Sequence, residues 1–189
     1  LRSHPPTRSI LKVKPTRSIL LFGEGKTEAC FLSHLRDLYR VQKTAIKVEH
    51  GRGGSVQTVV QGAIKIAQLA DYSGVLILLD DDRNDDPVPE SWCKKHRLFI
   101  KRSSPCIEAL FLEILEDKKL SKLRHGEDAS NRSKSHFKGT YLQTDRDGQV
   151  VSRLNNFFSK NFHRELLDEA RSRISMLDEI IHAIEGKIG

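Results

Sequence analysis

Short uninterrupted runs of apolar residues alternate along this chain with longer segments whose apolar residues recur every three or four positions. The clearest runs are residues 19–22 (Ile-Leu-Leu-Phe) and 75–79 (Val-Leu-Ile-Leu-Leu), and weaker runs lie at 45–49 and 98–100. Apolar runs without alternating polar residues are typical of strands that are buried on both faces of a parallel sheet. The pattern therefore predicts four strands.

The segments between these runs have the spacing of amphipathic helices. They are residues 27–39, 55–70 and 105–116, with a shorter helix predicted at 90–96. Ser55 is expected to be the N-cap of the second helix, because its hydroxyl can accept a hydrogen bond from a free amide of the first turn. Strands that alternate with helices predict an α/β fold, with a four-stranded, mostly parallel sheet flanked by helices.

The two ends of the chain differ from this middle part. Residues 1–17 are rich in proline, serine and basic residues, and they predict an N-terminal arm. Residues 18–117 form the predicted α/β domain, and residues 118–189 form a polar excursion followed by a C-terminal helical extension. The apolar spacing across residues 166–184 predicts one long helix. That helix either packs on the domain or joins the chain to a second copy in a homo-oligomer.

Acidic residues follow the first and the third predicted strands. Glu24 and Glu28 come after the first run, and Asp80 and Asp82 end the third. Because open α/β sheets bind ligands at the carboxyl ends of their strands, we expect these four carboxylates to converge. Such a cluster repels itself unless protons or cations neutralise it, and hard oxygen ligands suit Mg²⁺ or Mn²⁺. Asp81 lies between two of them on an extended segment and should point elsewhere.

Composition narrows the class of partner and the compartment. The chain carries 32 lysine and arginine residues against 25 acidic residues, which gives a net charge of +7 and favours a polyanionic partner such as nucleic acid. Three cysteines without a Cys-x-x-Cys pair support neither a disulfide framework nor a zinc site, and they favour a reducing compartment. No apolar run approaches the ~18 residues of a membrane span, and no signal peptide is visible. We therefore expect a cytoplasmic protein that has no membrane partner.

The order of these features resembles the TOPRIM domain, which topoisomerases, primases and related nucleases share. Its signature is a strand that ends in Glu-Gly, a helix that begins a few residues later, and another strand that ends in Asp-x-Asp. Within TOPRIM, three segments resemble the RloB-like family: Glu-Gly-Lys-Thr-Glu at 24–28, the glycine-rich turn at 51–55, and Ser-Ser-Pro-Cys-Ile-Glu at 103–108. Two positions depart from the family pattern, Gly23 where a bulkier residue is common and Ile107 where an aromatic residue is usual.

The resemblance covers residues 17–117, and it implies a Rossmann-like TOPRIM fold and a Mg²⁺- or Mn²⁺-dependent nuclease that hydrolyses phosphodiester bonds of DNA or RNA. It implies that Glu24 is a general acid/base or metal ligand, and that Asp80 and Asp82 are catalytic ligands of the divalent ion. Glu28 matches a second acid that helps to bind metal in related nucleases. The family also implies a phage-defence setting, with an ATPase encoded nearby as a partner.

Further candidates surround this acidic set. Glu108 matches an acid on the corresponding helix of the RloB-like family, although it could instead hydrogen-bond Ser103 or cap its own helix. Basic residues can neutralise the charge of a phosphate in a transition state. The candidates for binding nucleic acid in this way are Lys26, Arg52, Lys101 and Arg102. Lys101 is also a candidate catalytic residue.

Two other functions stay open. The first is a non-cleaving, nucleic-acid-binding subunit of an ATPase-containing complex, which would use metal and basic residues only to hold phosphates. The second is a P-loop-like NTPase, which Gly-Glu-Gly-Lys-Thr at residues 23–27 suggests. A P-loop requires G-x-x-x-x-G-K-[ST], and the position of its first glycine is occupied here by Leu20. The nuclease is therefore the favoured prediction.

Overall fold

A four-stranded parallel sheet lies at the centre of the protein. The structure is a computed structural model, and it describes residues 17–81, 87–116, 126, 128–142 and 150–187. The strands are β1 (Arg17–Gly23), β2 (Thr44–His50), β3 (Gly74–Asp80) and β4 (Leu98–Ser103). Their order across the sheet is β2-β1-β3-β4, and all neighbouring strands are parallel. The predicted α/β, Rossmann-like fold class is confirmed.

Helices cover both faces of this sheet. They are α1 (Lys26–Tyr39), α2 (Val56–Ala67), α3 (Glu90–His96), α4 (Ile107–Glu116), α5 (Ala129–Phe137), α6 (Val150–Asn161), α7 (Arg164–Arg171) and α8 (Ser175–Ile184), and a π-helical turn spans Lys138–Leu142. The four helices predicted between and after the strands are confirmed. Ser55 is the N-cap of α2, since its Oγ accepts a hydrogen bond from the Thr58 amide at 3.3 Å.

Alternate residues of the central strands point to opposite faces of the sheet and belong to two separate hydrophobic cores. On β1, Ile19 and Leu21 pack with α1, α4 and the later helices, whereas Leu20 and Phe22 pack with α2. All four side chains are at most 3% exposed, which explains why the strand is an unbroken apolar run. Helix α1, which follows β1, packs in the first core, and Trp92 and Cys93 of α3, which follows β3, pack against the second, so the two connections lie on opposite faces of the sheet. The gap between these two adjacent strand ends is the topological switch point at which α/β folds bind ligands.

Phenylalanine rings hold the helices of the larger core together. Phe31 of α1 lies 5.0 Å from Phe111 of α4, measured between ring centroids. Phe111 lies 5.3 Å from Phe137 of α5 and 5.1 Å from Phe158 of α6. Edge-on and tilted aromatic pairs at such distances add stabilisation beyond the burial of their surface. Helix α5 is therefore fixed against α4, although it lies in the segment predicted to be a polar excursion.

The polar excursion predicted after residue 117 is only partly correct. Helix α5 lies within it, and α6 begins directly after it. Sequence patterning missed α5 because Ala129, Ser133 and Phe137 are its buried residues, and only one of them is a large apolar side chain. Residues 1–16 of the predicted arm lie outside the described residues.

The single C-terminal helix predicted over residues 166–184 is wrong, because the structure divides this segment into α7 and α8. The Ser172 hydroxyl donates to the Glu169 carbonyl at 2.7 Å and so satisfies an acceptor at the end of α7. Apolar spacing continues across the break, from Leu167 to Ile174, so the pattern alone could not reveal it. The apolar residues of α8 are buried within this chain, which supports the packing alternative over a subunit interface.

The burial of α5 leads to a test of stability. Phe137→Leu should lower the free energy of unfolding by about 1–2 kcal/mol, because the smaller side chain loses ring contacts and leaves a void. Leu69→Ala is the control, since Leu69 is 84% exposed and the change should stay within about 0.5 kcal/mol. Urea unfolding followed by circular dichroism measures both values. Equal stabilities of the two variants would show that α5 does not belong to the core.

Candidate active site

The ends of β1 and β3 meet through hydrogen bonds of Glu24. Its amide donates to the Leu78 carbonyl at 3.0 Å, which extends the pairing of the two strands by one residue. Its carboxylate Oε2 accepts a hydrogen bond from the Asp80 amide at 3.2 Å. The structure therefore brings together the two strand ends whose acids the sequence predicted to converge.

Gly23 allows α1 to begin directly against the end of β1. A Cβ atom at this position would lie 2.7 Å from the Ala29 amide nitrogen and 2.8 Å from the Glu28 Cβ. These distances are shorter than any normal contact, and one of the atoms belongs to the backbone. The absence of a side chain at Gly23 thus allows the close approach of the helix that carries Glu28.

Asp80 connects β3 with two helices. Its Oδ1 accepts a hydrogen bond from the Ile107 amide at the start of α4, at 2.8 Å. Its Oδ2 lies 3.3 Å from the Lys134 Nζ on α5, and the Asp80 side chain is only 11% exposed. The partial positive charge of a helix N-terminus and a full ammonium charge therefore act on the same carboxylate.

Two further acids are buried in the same cluster. Glu28 is 6% exposed, and its Oε2 accepts a hydrogen bond from the Gly25 amide at 2.8 Å. Glu108, in the first turn of α4, is 8% exposed. Within the described parts of the chain, neither Glu108 Oε2 nor Ser103 Oγ has a hydrogen-bond partner. The suggested Glu108–Ser103 hydrogen bond is therefore wrong, and one carboxylate oxygen of Glu108 is buried without a hydrogen-bond partner among the described residues.

Burial and mutual repulsion shift the proton affinities of the cluster. Burial raises the pKa of Asp80 to about 7; the charge of Glu28 adds to this rise, Lys134 and the Ile107 amide oppose it, and Glu108 adds a smaller increase. Burial also raises the pKa of Glu28, while hydrogen bonds from its own amide and that of Gly25 oppose the rise and the charges of Glu108 and Glu24 add to it. Burial is thus the main cause of both raised pKa values, and repulsion among the acids of the cluster adds to it.

The donor set fits a hard divalent cation in its chemistry. Every candidate ligand is a carboxylate oxygen, which Mg²⁺ and Mn²⁺ prefer, and Glu108 Oε2 is buried without a hydrogen-bond partner among the described residues. In that same part of the chain, no three His, Cys, Asp or Glu side chains are already grouped around one point as metal ligands. Asp82, which was predicted as a ligand, lies outside the described residues.

The basic candidates of β4 face different neighbours. Lys101 is not brought to the acidic cluster, because its Nζ forms an ion pair with Glu179 of α8. Arg102, the next residue, points to the other side of the strand, where its Nη1 lies 3.7 Å from Asp81 Oδ1. Asp81 thus faces Arg102, in agreement with the expectation that it would point away from the site.

Two other basic candidates lie at the rim of the β1–α1 turn. Lys26 is the exposed first residue of α1. Arg52 is also exposed, and the loop that carries it is held by two hydrogen bonds, from the Gly51 amide to the Gly23 carbonyl at 2.9 Å and from the Gly53 amide to the Glu24 carbonyl at 3.2 Å. Both side chains are therefore exposed on segments that adjoin the Glu24 turn.

Sequence reasoning missed Lys134, the ammonium that contacts Asp80. Its helix lies in a polar segment with a weak apolar stripe, so the pattern offered no reason to place it at the site. A signal was nevertheless present, because Ala129, Ser133 and Phe137 recur every four residues and mark a buried face. Lys134 directly follows one of these buried positions.

Comparison of the chain with protein-family models, with curated proteins and with solved structures found no match in any of the three. The TOPRIM and RloB-like resemblance therefore stays a prediction from the motifs. None of the helices in the described ranges is both long and apolar enough to cross a membrane.

The raised pKa of Asp80 predicts how stability depends on pH when metal is removed. The folded state holds the Asp80 proton more tightly than the unfolded state, so this carboxyl contributes less stability as the pH rises from about 4 to about 7. In EDTA, the difference in unfolding free energy between Asp80→Asn and the wild type should therefore change by about 2 kcal/mol in favour of the variant when the pH is raised from about 5 to about 8. Urea titrations at both pH values measure this difference. A gap between the two proteins that is the same at both values would contradict the assignment.

The close approach at Gly23 predicts a steric effect. Gly23→Ala should lower the free energy of unfolding by about 2–3 kcal/mol, because the new methyl group forces β1 and α1 apart. Gly139→Ala is the matched control, since nothing lies within 4 Å of the added atom there. Thermal melts of both variants report the effect. A Gly23 variant as stable as the Gly139 variant would show that the helix can move without cost.

Proposed function

We propose that this protein is a divalent-metal-dependent nuclease that hydrolyses phosphodiester bonds of DNA or RNA. One observation carries the proposal: Glu24, Glu28, Asp80 and Glu108 form one interacting cluster of carboxyl groups at the switch point of a parallel sheet. Buried acids with raised pKa values at a ligand-binding edge are candidates for a functional site, and a cation held between them would relieve their repulsion.

Carboxylates of this cluster would hold Mg²⁺ or Mn²⁺, namely Glu24, Glu28, Asp80 and Glu108, with Asp82 as a further predicted ligand. When bound, the ion would polarise the phosphate and would lower the pKa of a coordinated water. Glu108 is the member whose buried oxygen is without a hydrogen-bond partner among the described residues. A buried carboxylate oxygen without a partner is a second observation that supports a ligand.

Glu24 is the best placed of these acids to move a proton. It lies at the strand tip and is partly exposed, whereas Glu28 and Glu108 are buried. The Asp80 amide fixes one of its carboxylate oxygens. In the proposed reaction, a water oxygen bonds to phosphorus, the bond from phosphorus to the leaving oxygen breaks, and the proton of the water passes to the Glu24 carboxylate.

The basic rim would hold the substrate backbone. Lys26 and Arg52 are exposed beside the Glu24 turn, where their charges can contact phosphates on either side of the reacting one. The net charge of +7 adds a longer-range attraction to any polyanion. From the motif resemblance we also propose a phage-defence or nucleic-acid-processing role, with an ATPase as partner.

The same geometry favours the nuclease over the P-loop-like NTPase. The Gly25 amide, which a phosphate loop would direct at a phosphate, is bonded to the carboxylate of Glu28. A phosphate bound at the Gly25 amide would be repelled by the negative charge of Glu28.

The non-cleaving subunit has one observation in its favour, since both oxygens of Asp80 already have partners within the chain, the Ile107 amide and Lys134.

Cleavage assays test the proposed function. Wild-type protein with Mn²⁺ should cut at least one of three substrates, plasmid DNA, single-stranded DNA or RNA, and Glu24→Gln should cut it about 100-fold more slowly, because the amide cannot accept the proton. Glu165→Gln, on the exposed side of α7, makes the same charge change away from the site and should leave the rate unchanged.

Two outcomes would contradict the nuclease. Equal rates for the wild type and the Glu24 variant would show that the cleavage does not come from the acidic cluster, which would contradict the nuclease as proposed. Metal-dependent binding of an oligonucleotide without cleavage by the wild type would favour the non-cleaving subunit.

A further inference from the structure

A positive charge already lies inside the acidic cluster. Lys134 Nζ is 3.3 Å from Asp80 Oδ2, and the charges of Glu28 and Glu108 act on the same Asp80 carboxylate. An ammonium at this distance neutralises part of the cluster and engages an oxygen that a divalent ion would bind. Lys134 and a metal ion therefore have overlapping partners.

The structure holds the backbone of Lys134 firmly at this position. Its neighbour Ser133 is fully buried, and Phe137, one turn later, packs its ring against Phe111 of α4. The carbonyl of Ser130, one turn earlier, lies 3.8 Å from the thiol of Cys106. The Lys134 side chain itself is 30% exposed, so its flexible stem can carry the ammonium from Asp80 towards solvent while the helix stays fixed.

We propose that Lys134 is the resting counter-ion of the acidic cluster: a divalent cation displaces its ammonium from Asp80, and the released ammonium then binds a phosphate of the nucleic acid. The inference rests on the proposed function, because the displacing ion and the phosphate are the metal and the substrate of that function. It adds a residue from the helical extension to a site otherwise built from the α/β domain.

This arrangement predicts effects of opposite sign on two ligands. The Lys134 charge opposes cation binding, because the ion must compete for Asp80 and meets a like charge. The same charge strengthens the binding of an anionic substrate. Substitution of a residue with a merely structural role would weaken the binding of both ligands or of neither. Effects of opposite sign on the two affinities therefore identify the counter-ion.

Calorimetric titration with MnCl₂ alone measures the first effect. Lys134→Met keeps most of the side-chain length and removes the charge, and it should bind Mn²⁺ about three- to fivefold more tightly than the wild type. Lys138→Met is the matched control, because it makes the same change one turn later on an exposed residue that directly follows α5. The control should stay within about twofold of the wild type.

Binding of a phosphorothioate oligonucleotide in Ca²⁺, with cleavage suppressed, measures the second effect. Lys134→Met should weaken this binding about tenfold, because a charge-assisted hydrogen bond to phosphate is lost. Lys134→Arg keeps the charge and should restore the wild-type affinities for both ligands. If the methionine variant does not fold, as judged by circular dichroism, Lys134→Gln takes its place in both titrations.

Three outcomes would overturn the inference. Equal Mn²⁺ affinities of the Lys134→Met and Lys138→Met proteins would show that Lys134 does not compete with the ion. An arginine variant that binds Mn²⁺ as tightly as the methionine variant would assign the effect to packing instead of charge. No Mn²⁺ binding by the wild type would overturn the inference together with the proposed function, whereas either of the first two results leaves the Glu24-dependent cleavage assay unaffected.

Discussion

The buried carboxylate of Asp80 is the interaction on which the rest of the site depends. It ends β3, accepts the first amide of α4 and faces the ammonium of Lys134 on α5. Its own amide bonds to the carboxylate of Glu24 at the end of β1. Four elements therefore meet at one residue, and any movement of α4 or α5 would alter the charge balance of the cluster.

The acidic cluster lowers the stability of the folded protein, and it can bind a cation. Burial raises the pKa of Asp80 and of Glu28, and repulsion between the acids adds to the rise; the folded protein reduces this repulsion by holding protons or by pairing with Lys134. A divalent ion would remove it more completely, because hard cations prefer the same oxygens. Shifted pKa values of this kind cluster at functional sites, which supports a ligand for these acids.

The helical extension takes part in the site as well as in packing. Phenylalanine rings from α1, α4, α5 and α6 form one continuous core on the face of the sheet that carries α1. This core fixes α5, and α5 brings Lys134 to Asp80. On the same face, Lys101 forms an ion pair with Glu179 of α8. The helical extension thus places the ammonium of Lys134 at the site and keeps the ammonium of Lys101 away from it.

The sequence by itself determined the strands, the helices α1 to α4 and the meeting of Glu24 with Asp80, because apolar runs and helical spacing are local signals and parallel strands end at one edge. Only the tertiary structure decided that Glu108 is buried without a partner among the described residues, that Lys101 faces α8, that the last helix divides, and that Lys134 enters the site. These features depend on which elements pack together across long separations in the chain. A local pattern can mark a buried face, as it does in α5, but it does not specify which distant element that face contacts.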